Sequence, residues 1–191
     1  MKVGLFFGSF NPIHVGHLII ANTIYESSDC KEIWFVISPQ NPLKKSKSLA
    51  HEFDRYDLVE AAISEDYHFR PCDVEFHMPK PSYTIDTLTY LSEKHPTKDF
   101  ALIIGSDNLV SFKKWKNYEL ILERYSLLVY PRPGNIHSEL MDHKHVSVIE
   151  APLLDISASY IRERVRQGKS LKYLLPDRVI DIIANRHLYE R

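Results

Sequence analysis

Short apolar runs, bounded by polar or turn-forming residues, recur along this sequence and predict buried β-strands. The first run is KVGLFF, directly followed by glycine, and EIWFVIS and FALIIG have the same character. SLLVY is followed by two prolines, which stop a strand. Six strands are predicted in chain order, the third and the sixth on weaker patterns, within 2–7, 32–38, 69–76, 100–105, 126–130 and 146–150.

Between these runs the apolar residues recur at the spacing of amphipathic helices. Ser82 or Thr84 is expected to cap the third helix, and Pro176 is placed near the start of the last one. The predicted helices are 15–25, 51–64, 82–96, one near 118–124, and two that begin at Ser157 and Asp177.

Strands that alternate with helices predict a parallel sheet covered by helices on both faces. The sequence therefore predicts a doubly wound α/β fold with a helical C-terminal segment. No repeat, low-complexity segment or linker is visible, so residues 1–191 are expected to form one domain. Ligands bind such sheets beyond the carboxyl ends of the strands, which here means after Phe7, Ser38, Gly105 and Tyr130.

Composition narrows the function classes. The net charge of −1 argues against a general nucleic-acid binder, although the segment after Arg162 is basic, as suits an anionic ligand or a solvated helix face. Cys30 and Cys72 lack CxxC spacing, so neither a disulfide framework nor a thiolate zinc site is expected. No apolar run reaches the roughly 18 residues of a membrane span, and no signal peptide is visible. We expect a cytoplasmic protein with no membrane partner.

The stretch GSFNPIHVGH at residues 8–17 follows the first predicted strand. Gly8 permits close approach of a ligand to the backbone, and Pro12 stiffens the entry to the first helix. Free N–H groups at a helix start bind anions, helped by the helix dipole. His14 and His17 are three residues apart, so both imidazoles can donate to a phosphate from one side of the helix.

Three alternatives compete with phosphate binding at this turn. The two histidines can be surface residues without a role. A metal site has no third ligand at an obvious spacing nearby, and a dinucleotide-binding oxidoreductase would need GxGxxG in this turn. Phosphate binding is therefore the preferred interpretation.

GSFNPIHVGH resembles the GxFxPxHxGH signature of the nucleotidylyltransferase superfamily, whose HxGH element binds and activates nucleotide phosphates. Further stretches are similar to the bacterial nicotinate-nucleotide adenylyltransferases within it: PSYTIDTL, IIGSDNL with KKWKNYELIL behind it, PRPG, and ISASYIRERVRQGKSLKYLLPDRV. This ordered set covers nearly the whole chain. The resemblance implies a Rossmann-like nucleotidylyltransferase domain that joins nicotinate mononucleotide to ATP, giving the dinucleotide and pyrophosphate.

The resemblance also implies residue roles on the ATP side. His14, His17 and Arg162 would be catalytic, acting on the phosphates without a protein nucleophile. Mg²⁺ is expected to arrive with ATP, and no resident metal site is implied. Ser157 and Asp107 can instead be ordinary helix caps. The implied ATP contacts are Gly8, Ser9, Phe10, His14, His17, Gly105, Asp107, Ile156, Ser157, Ser159 and Arg162.

On the acceptor side, the nicotinate ring would lie against Trp115, with its carboxylate near Thr84 and the backbone of Lys116. Trp115 can instead be core packing, and the lysines at 44–47 can be a solvated loop. The role of Arg132 is open in the same way. The implied mononucleotide contacts are Lys44, Tyr83, Thr84, Trp115, Lys116 and Arg132.

Three positions depart from the family pattern. Phe7 stands where glycine is common, so the turn must accept an L-residue there. Asn11 replaces an aspartate and removes a negative charge close to the phosphates. Ser9 replaces a threonine and keeps the hydroxyl. None of these changes removes a group that the mechanism needs.

Other functions remain open at this point. The acceptor can be nicotinamide mononucleotide, although Thr84 at a helix start favours the acid. A phosphopantetheine adenylyltransferase would share the opening motif, but would not be expected to carry PSYTIDTL or KKW. A non-catalytic nucleotide sensor would not need the donors His14, His17 and Arg162. The sequence is also compatible with a homo-oligomer.

Overall fold

A computed structural model describes residues 1–39, 49–134 and 137–190 of the chain. The strands in these residues are β1 (Lys2–Gly8), β2 (Glu32–Ile37), β3 (Phe69–Cys72), β4 (Asp99–Gly105), β5 (Ser126–Tyr130) and β6 (Val146–Val148). These described strands form one six-stranded sheet in the order β3-β2-β1-β4-β5-β6, and every neighbouring pair is parallel. The expected doubly wound, Rossmann-like α/β fold is confirmed.

The helices surround this sheet much as the sequence predicts. They are α1 (Val15–Ser27), α2 (Glu52–Ile63), α3 (Thr84–Lys94), α4 (Ser106–Ser111), α5 (Tyr118–Arg124), α6 (Ala158–Arg166) and α7 (Asp177–Asn185). None of the helices in the described ranges is long and apolar enough to span a membrane.

The third strand, β3, lies within the segment predicted for it and ends at Cys72, and a 3₁₀ turn at Val74–His77 follows it. One local prediction is wrong. The start of α3 has Tyr83 at the N-cap position and no side-chain cap, because Thr84 is already the first helical residue. Neither Ser82 nor Thr84 therefore caps this helix.

Alternating side chains of the strands build two separate apolar cores, one on each face of the sheet. Phe6 of β1 belongs to the core covered by α1, α2, α6 and α7. Its neighbour Leu5 belongs to the core covered by α3, α4 and α5. The two C-terminal helices, α6 and α7, therefore pack on the same face as α1. The turn at residues 9–14, between β1 and α1, is called the opening turn below.

From β1 the sheet extends on one side through β2 and β3 and on the other side through β4, β5 and β6. Doubly wound sheets bind ligands at this switch point, between β1 and β4. Gly8 is in register with Ile37, and Gly105 is in register with Tyr130. The loops that follow β1, β2, β4 and β5 therefore emerge at one edge of the sheet, as expected.

Arg55 of α2 is fully buried and holds two of these loops in place. Its two terminal nitrogens donate hydrogen bonds to the carbonyl oxygens of Ser9, Ser38 and Pro39, at 2.5, 2.8 and 3.0 Å. Its Nε donates to the carbonyl of Ala50 at 3.0 Å. One guanidinium thus ties the loops after β1 and β2 to the start of α2.

We expect Arg55→Met to lower the free energy of unfolding by about 3 kcal/mol or more, because several carbonyl oxygens lose a charged donor at once. Urea unfolding measures this change. Arg70→Met is the matched control, since Arg70 is 59% exposed and pairs with Glu32 at 3.5 Å. The free energy of unfolding of that variant should fall by less than about 1 kcal/mol. Equal losses in the two variants would contradict the role given to Arg55.

Candidate active site

A cleft of about 490 Å³ opens at the carboxyl ends of the central strands. Gly8 of β1, Gly105 of β4 and Tyr130 of β5 contribute to its lining. The start of α3 and the segment around Trp115 also line it. The cleft therefore lies at the reversal point of the strand order, next to the opening turn.

The opening turn is shaped by the side chain of Phe10, which is 2% exposed and has a positive φ of 43°. A Cβ on Gly8 would come within 2.8 Å of the Phe10 ring, so this position has no room for a side chain. Phe7 is still part of β1, and its restriction on φ has no consequence for the turn. Of the predicted ATP contacts, Phe10 can contribute only its backbone, because its ring belongs to the core.

His14 and His17 lie together at the start of α1, as their spacing predicts. Their rings stack with centroids 3.7 Å apart. The backbone N–H of His14 donates to Nδ1 of His17 at 3.2 Å, which leaves the proton of a neutral His17 on Nε2. His14 is 6% exposed, and its Nδ1 is buried without a hydrogen-bond partner.

The glycine between the two histidines was not singled out from the sequence as a site residue. A Cβ on Gly16 would lie 3.0 Å from Nδ1 of His14 and 3.8 Å from Cβ of Ile156. The lack of a side chain at Gly16 therefore lets the His14 ring and the segment before α6 approach each other. The HxGH spacing was the available signal.

Both imidazoles are held in the neutral form. Burial, with a smaller contribution from the positive charge of Arg132, lowers the pKa of His14 from its ordinary 6.5 to about 4. Burial lowers the pKa of His17 well below 6.5, and the charges of His14 and Arg132 lower it further. At neutral pH each ring therefore has one N–H donor. A bound anion would stabilise the protonated forms.

The start of α6 reaches the opening turn through Arg162. Its Nη1 donates to the carbonyl of Asn11 at 2.8 Å, and its Nη2 donates to Oγ of Ser159 at 3.2 Å. Its Nε is buried without a hydrogen-bond partner. The hydroxyl of Ser157 accepts from the N–H of Tyr160 at 3.2 Å, so it caps the helix as the plainer alternative stated.

Arg132, which the sequence placed among the mononucleotide contacts, lies beside Gly105 and Tyr130 of the cleft, and its charge reaches the histidines. Its guanidinium is 5.3 Å from the Tyr130 ring centroid, and its charge acts on both imidazoles. Its Nε is 3.7 Å from Oδ1 of Asp107 and is buried without a hydrogen-bond partner. A Cβ on Gly105 would collide with Oδ1 of Asp107 and would lie 3.1 Å from Arg132. Asp107 is within the first turn of α4, where Gly105 holds the N-cap position.

The structure brings four predicted acceptor residues to the other wall of the cleft, namely Tyr83, Thr84, Trp115 and Lys116. Thr84 is the first residue of α3, whose first N–H groups have no partner within the helix. Trp115 is partly buried against Phe112, with ring centroids 5.0 Å apart. Its indole therefore packs on one side and lines the cleft as well.

The side chain of Lys116 is already engaged. Its Nζ is 2.8 Å from Oδ2 of Asp86 and 4.6 Å from the centroid of the Tyr83 ring. This pair links the segment around Trp115 to the first turn of α3. Lys44, the remaining predicted acceptor contact, lies outside the described residues.

Glu75 also lines the cleft, and the sequence did not single it out. It falls inside the segment predicted as the third strand, and nothing in its neighbourhood resembles a motif. Within the described residues, no three His, Cys, Asp or Glu side chains are grouped so that they could hold a metal ion.

The buried position of His14 predicts how stability depends on pH. The pKa of His14 is lower in the folded chain than in the unfolded chain, so the unfolded chain binds more protons between pH 6.5 and 4 and stability falls as the pH falls. When the pH falls from 7 to 5, the free energy of unfolding of His14→Gln should decrease by about 2 kcal/mol less than that of the wild type. One pKa unit corresponds to about 1.4 kcal/mol. Urea unfolding at the two pH values measures this difference. The same loss in both proteins would contradict it.

The chain matches known proteins over nearly its whole length. The model of the cytidylyltransferase-like family matches residues 5–164. The chain is 59% identical over 189 residues to a Cytophaga hutchinsonii protein, covering 99% of this chain and 98% of that one. It is 45% identical over 193 residues to a Flavobacterium psychrophilum protein, covering 100% of both. Both relatives carry the name "Probable nicotinate-nucleotide adenylyltransferase".

Solved structures agree on the fold. The Plasmodium falciparum nicotinic acid mononucleotide adenylyltransferase complexed with NaAD superposes with a TM-score of 0.82 at 24% identity, covering 99% of this chain and 97% of that one. The same protein complexed with APC gives a TM-score of 0.80 at 22% identity, with the same coverage. The resemblance inferred from the motifs is confirmed by the family match and the close relatives. The chain belongs to the cytidylyltransferase-like family and is a member of the nicotinate-nucleotide adenylyltransferases.

Proposed function

We propose that this chain transfers the adenylyl group of ATP to nicotinate mononucleotide, giving nicotinate adenine dinucleotide and pyrophosphate, in the cytoplasm. The observation that carries the proposal is the adjacency of two unlike sites. Donors suited to phosphates surround the opening turn, and an aromatic pocket with a helix start lies in the cleft beside it. Gly8 and Gly105 both line that cleft. The relatives' names describe the same reaction class.

The reaction needs positioning and charge stabilisation more than a protein nucleophile. A phosphate oxygen of the mononucleotide attacks the α-phosphorus of ATP. The bond between the α-phosphorus and the oxygen that bridges to the β-phosphorus breaks, and pyrophosphate leaves with that electron pair. Negative charge shifts to the leaving group, so donors that point at the bridging and terminal oxygens accelerate the step.

His17 is the proposed transition-state donor. Its Nδ1 already accepts from the backbone N–H of His14, so its Nε2–H is available to the phosphates. His14 contributes the buried Nδ1, which has no hydrogen-bond partner among the described residues. Each ring can also take up a proton when the triphosphate is bound, because the added negative charge opposes the causes that lower their pKa values.

Arg162 and Arg132 are proposed to neutralise the triphosphate from two directions. Each has a buried Nε that finds no hydrogen-bond partner within residues 1–39, 49–134 and 137–190, and each is held in place by a contact, to Asn11 for Arg162 and to Asp107 for Arg132. Ser159 positions Arg162 through its hydroxyl. Assigning Arg132 to the phosphates replaces the acceptor role that the sequence suggested.

In the pocket, the nicotinate ring is proposed to stack on Trp115. The free N–H groups at the start of α3, beginning with Thr84, would receive the ring carboxylate. Tyr83 lines the same wall, and Lys116 is held there by Asp86. These contacts favour an acid over an amide, because hydrogen bonds to a charged acceptor are about twice as strong as neutral ones.

Mg²⁺ is proposed to enter as part of the substrate, bound to ATP. The donor set around the opening turn consists of imidazoles, guanidinium groups and hydroxyls, which suit phosphate oxygens better than a hard cation. When bound to ATP, the metal ion reduces the negative charge of the triphosphate and of the departing pyrophosphate. The chain's own residues then hold and orient the metal-bound triphosphate.

The first test is release of pyrophosphate from MgATP, with nicotinate mononucleotide and nicotinamide mononucleotide assayed in parallel. We expect kcat/KM for the acid to exceed that for the amide at least tenfold, about 1.4 kcal/mol of preference. Equal values would overturn the assignment of the ring carboxylate to the start of α3. Turnover with phosphopantetheine alone would overturn the pocket entirely, and binding of ATP without any turnover would point to a sensor.

The second test removes the proposed donor. His17→Ala should lower kcat at least about 10²-fold, as the loss of one well-placed transition-state donor does elsewhere. His77→Ala is the control, because His77 is 70% exposed and pairs with Asp73 away from the turn. Circular dichroism and the melting temperature check that the variant is folded. A folded His17→Ala with near-normal kcat would remove His17 from the mechanism.

A further inference from the structure

Glu75 places a carboxylate in the cleft that the proposed reaction does not yet use. The residue is 3% exposed and belongs to the 3₁₀ turn that follows β3. Among the described residues that line the cleft, it is the only acidic one. It shares this lining with Trp115 and Thr84, the residues proposed to hold the nicotinate ring.

The carboxylate of Glu75 is fixed but not neutralised. Its Oε1 accepts a hydrogen bond of 2.9 Å from the hydroxyl of Thr87, which is itself fully buried. Within the part of the chain that the structure describes, no Lys, Arg or His forms an ion pair with it. Of the two lysines that line the cleft, Lys116 pairs with Asp86, and Lys114 forms no ion pair with Glu75 either. A carboxylate that is buried without a cation costs free energy. A cationic ligand would offset that cost.

We propose that Glu75 is the counter-ion of the mononucleotide's pyridinium ring and a specificity determinant for a positively charged ring, an inference that rests on the proposed function. The ring nitrogen of nicotinate mononucleotide is bonded to ribose and has a formal positive charge without an N–H. It can therefore be satisfied by charge but not by a hydrogen-bond acceptor alone. The indole of Trp115 adds a cation–π contribution from the face of the ring.

The geometry of α3 matches the two charges of the ring. Thr84 and Thr87 are three residues apart, so they lie on the same face of the helix, about 4.5 Å apart along its axis. The start of the helix is proposed to receive the ring carboxylate, and Thr87 holds Glu75 one turn further on. That separation is comparable with the size of a six-membered ring. The carboxylate and the ring nitrogen can thus be recognised at the same time.

The decisive probe is a pair of mononucleotides that differ only in the ring charge. Nicotinate mononucleotide is compared with its C-nucleotide isostere, in which a 3-carboxyphenyl ring replaces the nicotinate ring. Affinities are measured by calorimetry without ATP, and kcat and KM are measured with MgATP. The proteins are the wild type, Glu75→Gln, and Asp73→Asn as the matched control, since Asp73 is two residues away, 50% exposed on the surface and paired with His77.

We expect the wild type and Asp73→Asn to bind nicotinate mononucleotide at least 30-fold more tightly than the uncharged isostere. Glu75→Gln should reduce this ratio at least tenfold. It should raise KM for nicotinate mononucleotide with kcat within about threefold, because the ring charge is the same in the ground state and the transition state. Glutamine can still accept from Thr87, and it removes an unpaired buried charge, so the melting temperature should not fall.

An unchanged ratio in a folded Glu75→Gln would overturn the proposal. Equal loss of affinity for both probes would also overturn it, because that result indicates a contact with ribose or a structural role. Binding of nicotinate mononucleotide without turnover would overturn the proposed function alone, and the binding ratio would still decide the role of Glu75. No binding of nicotinate mononucleotide by the wild type would overturn both.

Discussion

The site depends on a single buried cation that has no catalytic role. Arg55 donates to the carbonyl oxygens of Ser9, Ser38 and Pro39, which belong to the loops after β1 and β2. Parallel strands bring these loops to one edge of the sheet, but they do not determine how the loops are oriented there. The guanidinium does so with several donors in one plane. The position of the opening turn, and with it the imidazole pair, follows from this arrangement.

The charges and unpaired nitrogens around the opening turn suit an anionic ligand. His14, Arg132 and Arg162 each keep a buried nitrogen that has no hydrogen-bond partner in the described part of the chain, a condition that costs free energy in a folded protein. Burial, together with the positive charge of Arg132, keeps both imidazoles neutral. A triphosphate would satisfy the nitrogens and relieve the repulsion together. Binding of an anion would therefore recover the free energy that these unpaired groups cost.

Local signals account for what the sequence predicted. The apolar runs and the HxGH spacing depend on neighbouring residues, and the strands and the stacked His14 and His17 rings agree with them. Arg55 and Glu75 left no such signal. Arg55 lies in a charged helical segment, where a solvent-exposed side chain is expected, and Glu75 lies in the segment predicted to contain the third strand. Their burial is set by partners 46 and 12 residues away. The surroundings of Arg132 left no local signal either, since the pairing of β4 with β5 places it beside Gly105.

The two halves of the site present different charged groups, and so do the parts of the proposed substrates that would meet there. Guanidinium and imidazole donors surround the turn where the phosphates would react. Glu75 contributes the single acidic group among the described lining residues of the pocket, where the ring would lie. A mononucleotide placed in reverse would bring its phosphate to Glu75 and its pyridinium to Arg132, and both contacts would be repulsive. These two repulsions would favour the orientation in which the phosphate of the mononucleotide faces the α-phosphorus of ATP.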